Sequence, residues 1–138
     1  MPQQINNGIK KLLEVAKSEI EEIEAADAVK LAGRDDVVLV DLRDPRELER
    51  DGKVPGAFHC TRGMLEFWID PESPYHKPKF AEDKKFVFFC AGGLRSALSA
   101  KTAQDMGLKP VAHIIGGFKE WKEAGGPVEA YVPKQPKK

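Results

Sequence analysis

The sequence predicts an α/β fold built on a parallel sheet, because short apolar runs alternate with segments of helical periodicity. Three of these runs, at residues 37–40, 86–89 and 111–115, are typical of strands buried on both faces. At 138 residues the chain fits a single domain that is long enough to bury a core.

Composition and charge exclude several functional classes. Charged residues make up 32% of the chain and the formal net charge is zero, so no affinity for nucleic acid or a membrane surface is expected. No segment has the length of a transmembrane span, and the N-terminus lacks the apolar core of a signal peptide. Two cysteines do not make a disulfide framework, and the three histidines show no metal-ligand spacing. We therefore expect a protein of the reducing cytoplasm with no metal and no cofactor.

The first element is an amphipathic helix that we predict over residues 2–17, as an extension (residues 1–19) ahead of the domain proper. An apolar stripe of this kind usually serves packing, so capping of the sheet is favoured over partner binding. By pattern alone the helix would continue to residue 23. Its apolar positions are Ile5, Ile9, Leu12, Leu13, Ala16, Ile20 and Ile23.

The middle of the chain alternates strands, short helices and turns. After the strand at residues 37–40, residues 45–50 form a short helix with proline in its first turn. Residues 54–59 lead into a short strand. Residues 62–70 form an apolar, helix-like patch, and a proline-broken loop follows at 71–78. This insertion either forms a wall of a pocket or covers one sheet edge with aromatic side chains.

The last third of the chain repeats the alternation. Apolar residues at helical spacing follow the strand at 86–89, and Gly107 closes that helix. After the strand at 111–115, a glycine turn leads into a helix at 118–124. We place the domain at residues 20–128, and the proline- and lysine-rich residues 129–138 as a flexible tail.

Cys90 lies at the carboxyl end of a predicted strand, where parallel sheets bind ligands. The following helix directs unpaired N–H groups and its positive dipole end toward this position, which favours the nucleophilic thiolate. Gly92 and Gly93 let the backbone curl into an anion-binding nest, and Arg95 adds positive charge. Ser96 can donate a hydrogen bond to the sulfur. We therefore expect a reactive thiolate, rather than the inert core residue that free cysteine often is.

The segment around Cys90 and three further motifs resemble the rhodanese-like sulfurtransferases. The matching segments are VLVDLRDPREL at 38–48, VPGA at 54–57, CAGGLRS at 90–96 and IGGFKEW at 115–121. The resemblance implies a single rhodanese-like domain whose central, mostly parallel five-stranded sheet is flanked by helices. It also implies a short edge strand at residues 20–23 and a helix at 25–31, in place of a longer first helix.

The resemblance further implies sulfur transfer without a cofactor. In this family the loop cysteine takes a sulfane sulfur from a donor, becomes a persulfide and passes the sulfur to a nucleophile, so Cys90 would be catalytic. The partners would be a donor (thiosulfate, polysulfide or a persulfide, including a protein persulfide) and a thiol acceptor. Thiosulfate specialists often carry further basic residues in the loop, so the donor stays open. The donor would lie against Ala91, Gly92, Gly93, Leu94, Arg95 and Ser96.

Four more residues are candidates for supporting the site. For Asp41 and Arg43, which follow a strand on the same edge, a structural ion pair is favoured over a catalytic role. Arg62 could attract anionic donors, although a lone surface arginine is the commoner case. Cys60 stands where the family usually has an apolar residue. It could resolve a persulfide into a disulfide, but a packed, inert thiol is favoured.

Other functional classes stay open at this point. A related phosphatase or arsenate reductase would need a longer loop than the four residues that separate Cys90 from Arg95. Non-catalytic rhodanese-like binding modules often lack the cysteine, which is present here. A redox sensor would pair Cys90 with Cys60, and peroxide would then form an intramolecular disulfide.

Overall fold

The computed structural model describes residues 2–133 and contains five strands and six α-helices in this range. The strands are β1 (Glu21–Ile23), β2 (Val37–Asp41), β3 (Phe58–His59), β4 (Lys85–Phe89) and β5 (Val111–Ile114). The helices are α1 (Ile9–Glu19), α2 (Ala25–Val29), α3 (Pro45–Asp51), α4 (Leu65–Ile69), α5 (Leu94–Met106) and α6 (Gly117–Glu123). Short 3₁₀ turns lie at Arg62–Met64 and Pro78–Ala81.

The strands form one sheet in the order β1-β5-β4-β2-β3, and all of their pairings are parallel. The predicted α/β fold and five-stranded sheet are confirmed. Because parallel strands end at a common edge, the residues after β1, β2, β3, β4 and β5 gather on one side of the domain. This edge carries every candidate site residue named from the sequence.

Two apolar cores lie on opposite faces of the sheet. On one face Val40, Phe86 and Phe88 pack with α1, α4 and α5. On the other face Val87 and Phe89 pack with α2 and α6. Neighbouring strand residues alternate between the two cores, which is why the central strands read as continuous apolar runs.

The first helix corrects the prediction from periodicity. It begins at Ile9 rather than at residue 2, because Gly8 has an extended backbone with ψ of 176° and caps the helix. The resemblance, by contrast, was right that an edge strand follows, since Glu21–Ile23 pairs with β5. Hydrophobic periodicity could not distinguish a longer first helix from an edge strand, because Ile20 and Ile23 fit the apolar positions of both structures.

The insertion between β3 and β4 packs as an aromatic cover. Ring centroids lie 5.8 Å apart for Phe58 and Trp68, 5.5 Å for Phe58 and Phe80, and 5.5 Å for Phe80 and Phe86. These contacts tie the insertion to β3 and β4 on the α5 face of the sheet. Trp68 therefore contributes to the aromatic cover that the sequence left open as one role for this segment, whereas Tyr75 is exposed and, among the described aromatic rings, packs only against Phe67.

The chain beyond α6 returns to the domain at Glu129. Lys53 and Glu129 form an antiparallel bridge whose two N–H···O bonds measure 2.8 and 2.9 Å. The predicted tail, residues 129–138, lies partly outside the described residues, from 134 onward. Within residues 2–133 there is no helix with the length and apolar character needed to cross a membrane.

Candidate functional site

Cys90 lies directly after β4 and is buried, with 1% of its surface exposed. The Leu42 N–H donates to the Phe89 carbonyl at 2.9 Å, so pairing between β2 and β4 continues to the base of the loop. By strand alternation the Cys90 side chain shares the α5 face with Phe86 and Phe88. The sulfur therefore sits under the first turn of α5.

The loop turns its amide groups toward this sulfur. The Gly93 N–H donates to Cys90 Sγ at 3.2 Å, and the Ser96 N–H donates at 3.4 Å. Ser96 Oγ lies 3.7 Å from Sγ. These donors at the start of a 13-residue helix face the position where a thiolate would carry its charge. The inward-turned N–H groups expected from the sequence are present around Cys90.

The two loop glycines are not equivalent. Gly93 has φ of +101°, and a Cβ there would lie 3.0 Å from the backbone nitrogen of Gly116. Gly92 does not have a positive φ, and a Cβ on it would meet no atom within 4 Å. Of the two, only Gly93 needs to be glycine for the loop to curl, which corrects the sequence-based expectation for Gly92.

A second turn holds the loop from its outer side. The Phe118 N–H donates to the Cys90 carbonyl at 2.8 Å, and the Lys119 N–H donates to the Ala91 carbonyl at 3.2 Å. Gly117 has φ of +60°, and a Cβ there would lie 2.3 Å from the Cys90 carbonyl oxygen. The glycine turn between β5 and α6 thus fits against the backbone of the cysteine loop, a role that the motif match alone did not reveal.

Arg95 does not present a free positive charge. Its Nη1 and Nη2 donate to the two carboxylate oxygens of Glu47 on α3, at 2.8 and 2.9 Å. This pairing lowers the pKa of Glu47 to about 2, helped by the hydrogen bond from the Asp44 backbone. The pKa of Arg95 is raised, mainly by Glu47 and to a smaller extent by Cys90. The carboxylate neutralises much of the charge that the sequence assigned to this loop.

Ser96 leads to two residues that the sequence analysis missed. Its hydroxyl oxygen lies 2.9 Å from Nδ1 of His113 on β5, and His113 Nε2 lies 2.9 Å from Glu22 Oε2 on β1. Both residues stand in short strands, opposite each other in the register. A histidine inside an otherwise apolar strand was the available signal, since a buried polar side chain requires a partner.

Asp41 and Arg43 form a buried ion pair, with Arg43 Nη2 2.9 Å from Asp41 Oδ2. The Arg43 guanidinium lies 4.0 Å above the Phe118 ring and also donates to the Gly52 carbonyl at 2.9 Å. These contacts place the pair on the α6 face of the sheet, opposite the side chain of Cys90. The geometry supports the structural interpretation of this pair.

Among the described residues, neither Cys60 nor Arg62 donates a hydrogen bond to Cys90 Sγ. Cys60 is fully buried, its Sγ lies 3.7 Å from the Thr61 carbonyl, and burial raises the pKa of its thiol to about 12. Arg62 is paired with Glu66 at 2.8 Å. Because β2 separates β3 from β4, the Cα atoms of the two cysteines are roughly 10 Å apart, beyond the reach of a disulfide.

Two similar proteins have names that refer to sulfur transfer. A mouse protein named thiosulfate sulfurtransferase/rhodanese-like domain-containing protein 3 is 30% identical over 91 residues, covering 62% of this chain and 58% of its own length. A polysulfide-sulfur transferase homodimer from Wolinella succinogenes superimposes with a TM-score of 0.67 at 32% identity, covering 88% of this chain and 87% of the other.

A third similar protein carries a different description. A Rhodopseudomonas palustris protein of unknown function, described as a possible tyrosine phosphatase, is 71% identical with a TM-score of 0.91. The alignment covers 94% of this chain and 99% of that one.

The chain spans between 31% and 64% of the length of the first four curated relatives it matches. Their full activities therefore do not transfer to it directly. The sequence profile of the rhodanese-like domain matches residues 24–124, which includes the β4–α5 loop and the glycine turn that holds it. The chain belongs to the rhodanese-like domain family.

Proposed function

We propose that this protein is a sulfurtransferase that carries a sulfane sulfur as a persulfide on Cys90. The observation that carries the proposal is the convergence of the Gly93 and Ser96 N–H groups on Cys90 Sγ. Such donors stabilise a sulfur anion as backbone amides stabilise an oxyanion, and they favour a thiolate ready to attack. Family membership and the sulfurtransferase names of relatives support the same reaction class.

The cycle consists of two displacements at sulfur. The Cys90 thiolate attacks the outer sulfur of the donor; a new S–S bond forms, and the donor's bond to that sulfur breaks. The electron pair of the broken bond leaves with sulfite or with the donor thiolate. The terminal sulfur of the Cys90 persulfide is then attacked by an acceptor thiolate. The Cys90 S–S bond breaks, and the thiolate is regenerated. No general base has to act on an acceptor that is already a thiolate.

The Arg95–Glu47 pair favours persulfide or polysulfide donors over thiosulfate. A dianionic donor gains most from a free guanidinium, and here Glu47 already occupies both of its outer nitrogens. The small exposed fraction of Cys90 also suits a thin sulfur chain better than a bulky head group. We accordingly propose a low-molecular-weight or protein-bound persulfide, or a polysulfide, as donor and a thiol as acceptor, in a reducing compartment.

A phosphatase activity deserves a direct test, because the Rhodopseudomonas palustris protein is described as a possible one. Phosphate ester hydrolysis requires a loop that surrounds a tetrahedral oxyanion and an arginine free to bind it. In this chain four residues separate Cys90 from Arg95, and Arg95 is held by Glu47. We expect no turnover of an aryl phosphate; hydrolysis lost in Cys90→Ser would instead establish the phosphatase.

Intact-mass measurement tests the sulfurtransferase proposal. After treatment with polysulfide and removal of the excess, the wild-type protein should gain about 32 Da, one sulfur atom, on the covalent intermediate. Alkylation followed by peptide mapping should place this sulfur on Cys90. Cys60→Ser should gain the same mass and Cys90→Ser should gain none. The absence of added sulfur in wild type, or its localisation to Cys60, would overturn the proposal.

A further inference from the structure

Ser96, His113 and Glu22 form a hydrogen-bonded chain that leads from the Cys90 sulfur to the surface. Three contacts make up this chain: Cys90 Sγ to Ser96 Oγ at 3.7 Å, Ser96 Oγ to His113 Nδ1 at 2.9 Å, and His113 Nε2 to Glu22 Oε2 at 2.9 Å. Cys90, Ser96 and His113 are buried, whereas the Glu22 side chain is 30% exposed. This hydrogen-bonded chain therefore connects a sulfur that is buried from solvent to a carboxylate that is partly exposed to solvent.

The Glu22 carboxylate determines which nitrogen of His113 carries a proton. A carboxylate only accepts hydrogen bonds, so Nε2 donates to it, and Nδ1 of the neutral ring can accept from the Ser96 hydroxyl. The Gly93 carbonyl, 3.2 Å from Ser96 Oγ, is a second acceptor for the same hydroxyl proton. In that state the Ser96 oxygen can accept from a Cys90 thiol. When the ring is protonated, Nδ1 donates to Ser96 Oγ, and the Ser96 hydroxyl becomes free to donate to a Cys90 thiolate. The same atomic positions therefore accommodate both a Cys90 thiol with a neutral His113 ring and a Cys90 thiolate with a protonated ring.

Resting on the proposed sulfurtransferase function, we propose that His113 receives the Cys90 proton through Ser96, and that Glu22 holds the His113 ring in place for this transfer; both are positioning residues. The Cys90 S–H bond breaks as its proton moves to Ser96 Oγ, and the Ser96 hydroxyl proton moves to His113 Nδ1. The products are a thiolate and an imidazolium, with no change of oxidation state. Glu22 stays ionised and neutralises the imidazolium, as the carboxylate of a hydrolytic triad does for its histidine.

Among the charged groups that act on His113, Glu22 favours the imidazolium and Lys17 opposes it. Burial lowers the pKa of His113, Glu22 opposes this effect, and Lys17 on α1 adds to it. Arg95 on α5 is the nearest cation to the sulfur, but Glu47 on α3 is bound to it. Burial outweighs Glu22, so the pKa of His113 lies below its ordinary value; the neutral ring is the form that accepts the proton, and Glu22 compensates part of the charge that then forms.

The pH dependence of Cys90 alkylation by iodoacetamide tests this pathway. The full-length chain should carry Cys60→Ala, so that Cys90 alone reacts. Ser96→Ala and His113→Asn should each raise the midpoint of the alkylation profile by about one pH unit, and Glu22→Gln should raise it by less. His59→Asn is the matched control, since the His59 ring contacts the Arg43 carbonyl at 2.6 Å and not the sulfur. Unchanged midpoints in Ser96→Ala and Glu22→Gln would overturn the proposal.

The imidazole ¹⁵N signals of His113 give a second measurement that a purely structural role would not affect. Coupling between two titrating groups is reciprocal, so removing the thiolate must change the histidine as well. In Cys90→Ala the titration of His113 should shift to lower pH, because the imidazolium loses a nearby anion. An identical titration in wild type and folded Cys90→Ala would disprove the coupling, even if His113→Asn does not fold. Neither measurement uses a sulfur donor, so failure of the proposed function would appear separately, as absent sulfur uptake.

Discussion

The two cysteines of this chain occupy similar positions in the fold and very different environments. Cys60 and Cys90 each follow a parallel strand at the same edge of the sheet, and both are buried in the same apolar core. Cys90 receives two backbone N–H groups and has the Ser96 hydroxyl at 3.7 Å. Cys60 faces a carbonyl oxygen, and burial raises the pKa of its thiol to about 12.

The difference shows that two equally buried cysteines can have opposite hydrogen-bonding environments. Burial disfavours a thiolate at Cys60, where no hydrogen-bond donor among the described residues faces the sulfur. At Cys90 the hydrogen-bond donors are the N–H groups of Gly93 and Ser96, which belong to the strand-to-helix turn and the first turn of α5. The positive φ of Gly93 directs this backbone toward the sulfur. At Cys60 the following 3₁₀ turn starts at Arg62 and supplies none to the sulfur. Three experiments test this contrast and the loop that produces it, and they are given in order of decreasing expected effect.

The largest effect should come from exchanging the cysteines for inert residues. Cys90→Ser should lower sulfur transfer by more than about three orders of magnitude, because no covalent intermediate can form. Cys60→Ala should keep turnover within about twofold and lower the free energy of unfolding by about 1 kcal/mol, through a small cavity. Steady-state transfer from polysulfide to a thiol and urea unfolding measure the two quantities. A comparable loss of turnover in both variants would contradict the prediction that Cys90 alone is required for sulfur transfer.

A smaller effect should separate the two loop glycines. Gly93→Ala should cost about 1–3 kcal/mol of stability and lower transfer about tenfold or more, because the positive φ strains alanine and moves an amide that faces the sulfur. Gly92→Ala should leave both properties near wild type, since its Cβ would enter open space. Urea denaturation together with steady-state kinetics gives the comparison. Equal effects at the two positions would mean that the loop is held by something other than Gly93.

The smallest effect should concern the choice of donor. Glu47→Gln frees much of the Arg95 charge, while the glutamine can still form the capping box with Asp44. The KM for thiosulfate should fall about fivefold, the equivalent of about 1 kcal/mol for a partly exposed pair, and the KM for a neutral persulfide should change little. Glu47→Asp is the matched control, because it keeps the charge. A KM that falls equally for both donors would contradict the electrostatic explanation.

Most of the fold could be predicted from the sequence, since the apolar runs and helical spacings gave the strand–helix alternation directly. The start of α1 could not, because Gly8 and not the apolar pattern fixes where that helix begins. The edge strand β1 depended on the family resemblance. Its stability comes from pairing with β5, which is 91 residues away in the sequence.

The candidate site was predictable only in its local part. The Cys90 turn and the amides of α5 follow from consecutive residues, so motif and helix geometry were sufficient. Glu47 and His113 contact the loop from other elements, at sequence separations of 48 residues for Glu47 to Arg95 and 17 for Ser96 to His113. Glu22 in turn contacts His113 across 91 residues. Contacts of this kind are set by the strand order, and no local pattern encodes them. The expectation that Arg95 carries a free charge was incomplete for the same reason.

The contact between Gly117 and the Cys90 carbonyl has a consequence for biosynthesis. A ribosome-bound nascent chain that ends before residue 116 already contains the cysteine. It lacks the Gly116 nitrogen beside Gly93 and the Phe118 N–H that binds the Cys90 carbonyl. The thiol therefore acquires its full surroundings only after the glycine turn and α6 have been synthesised and docked against the loop.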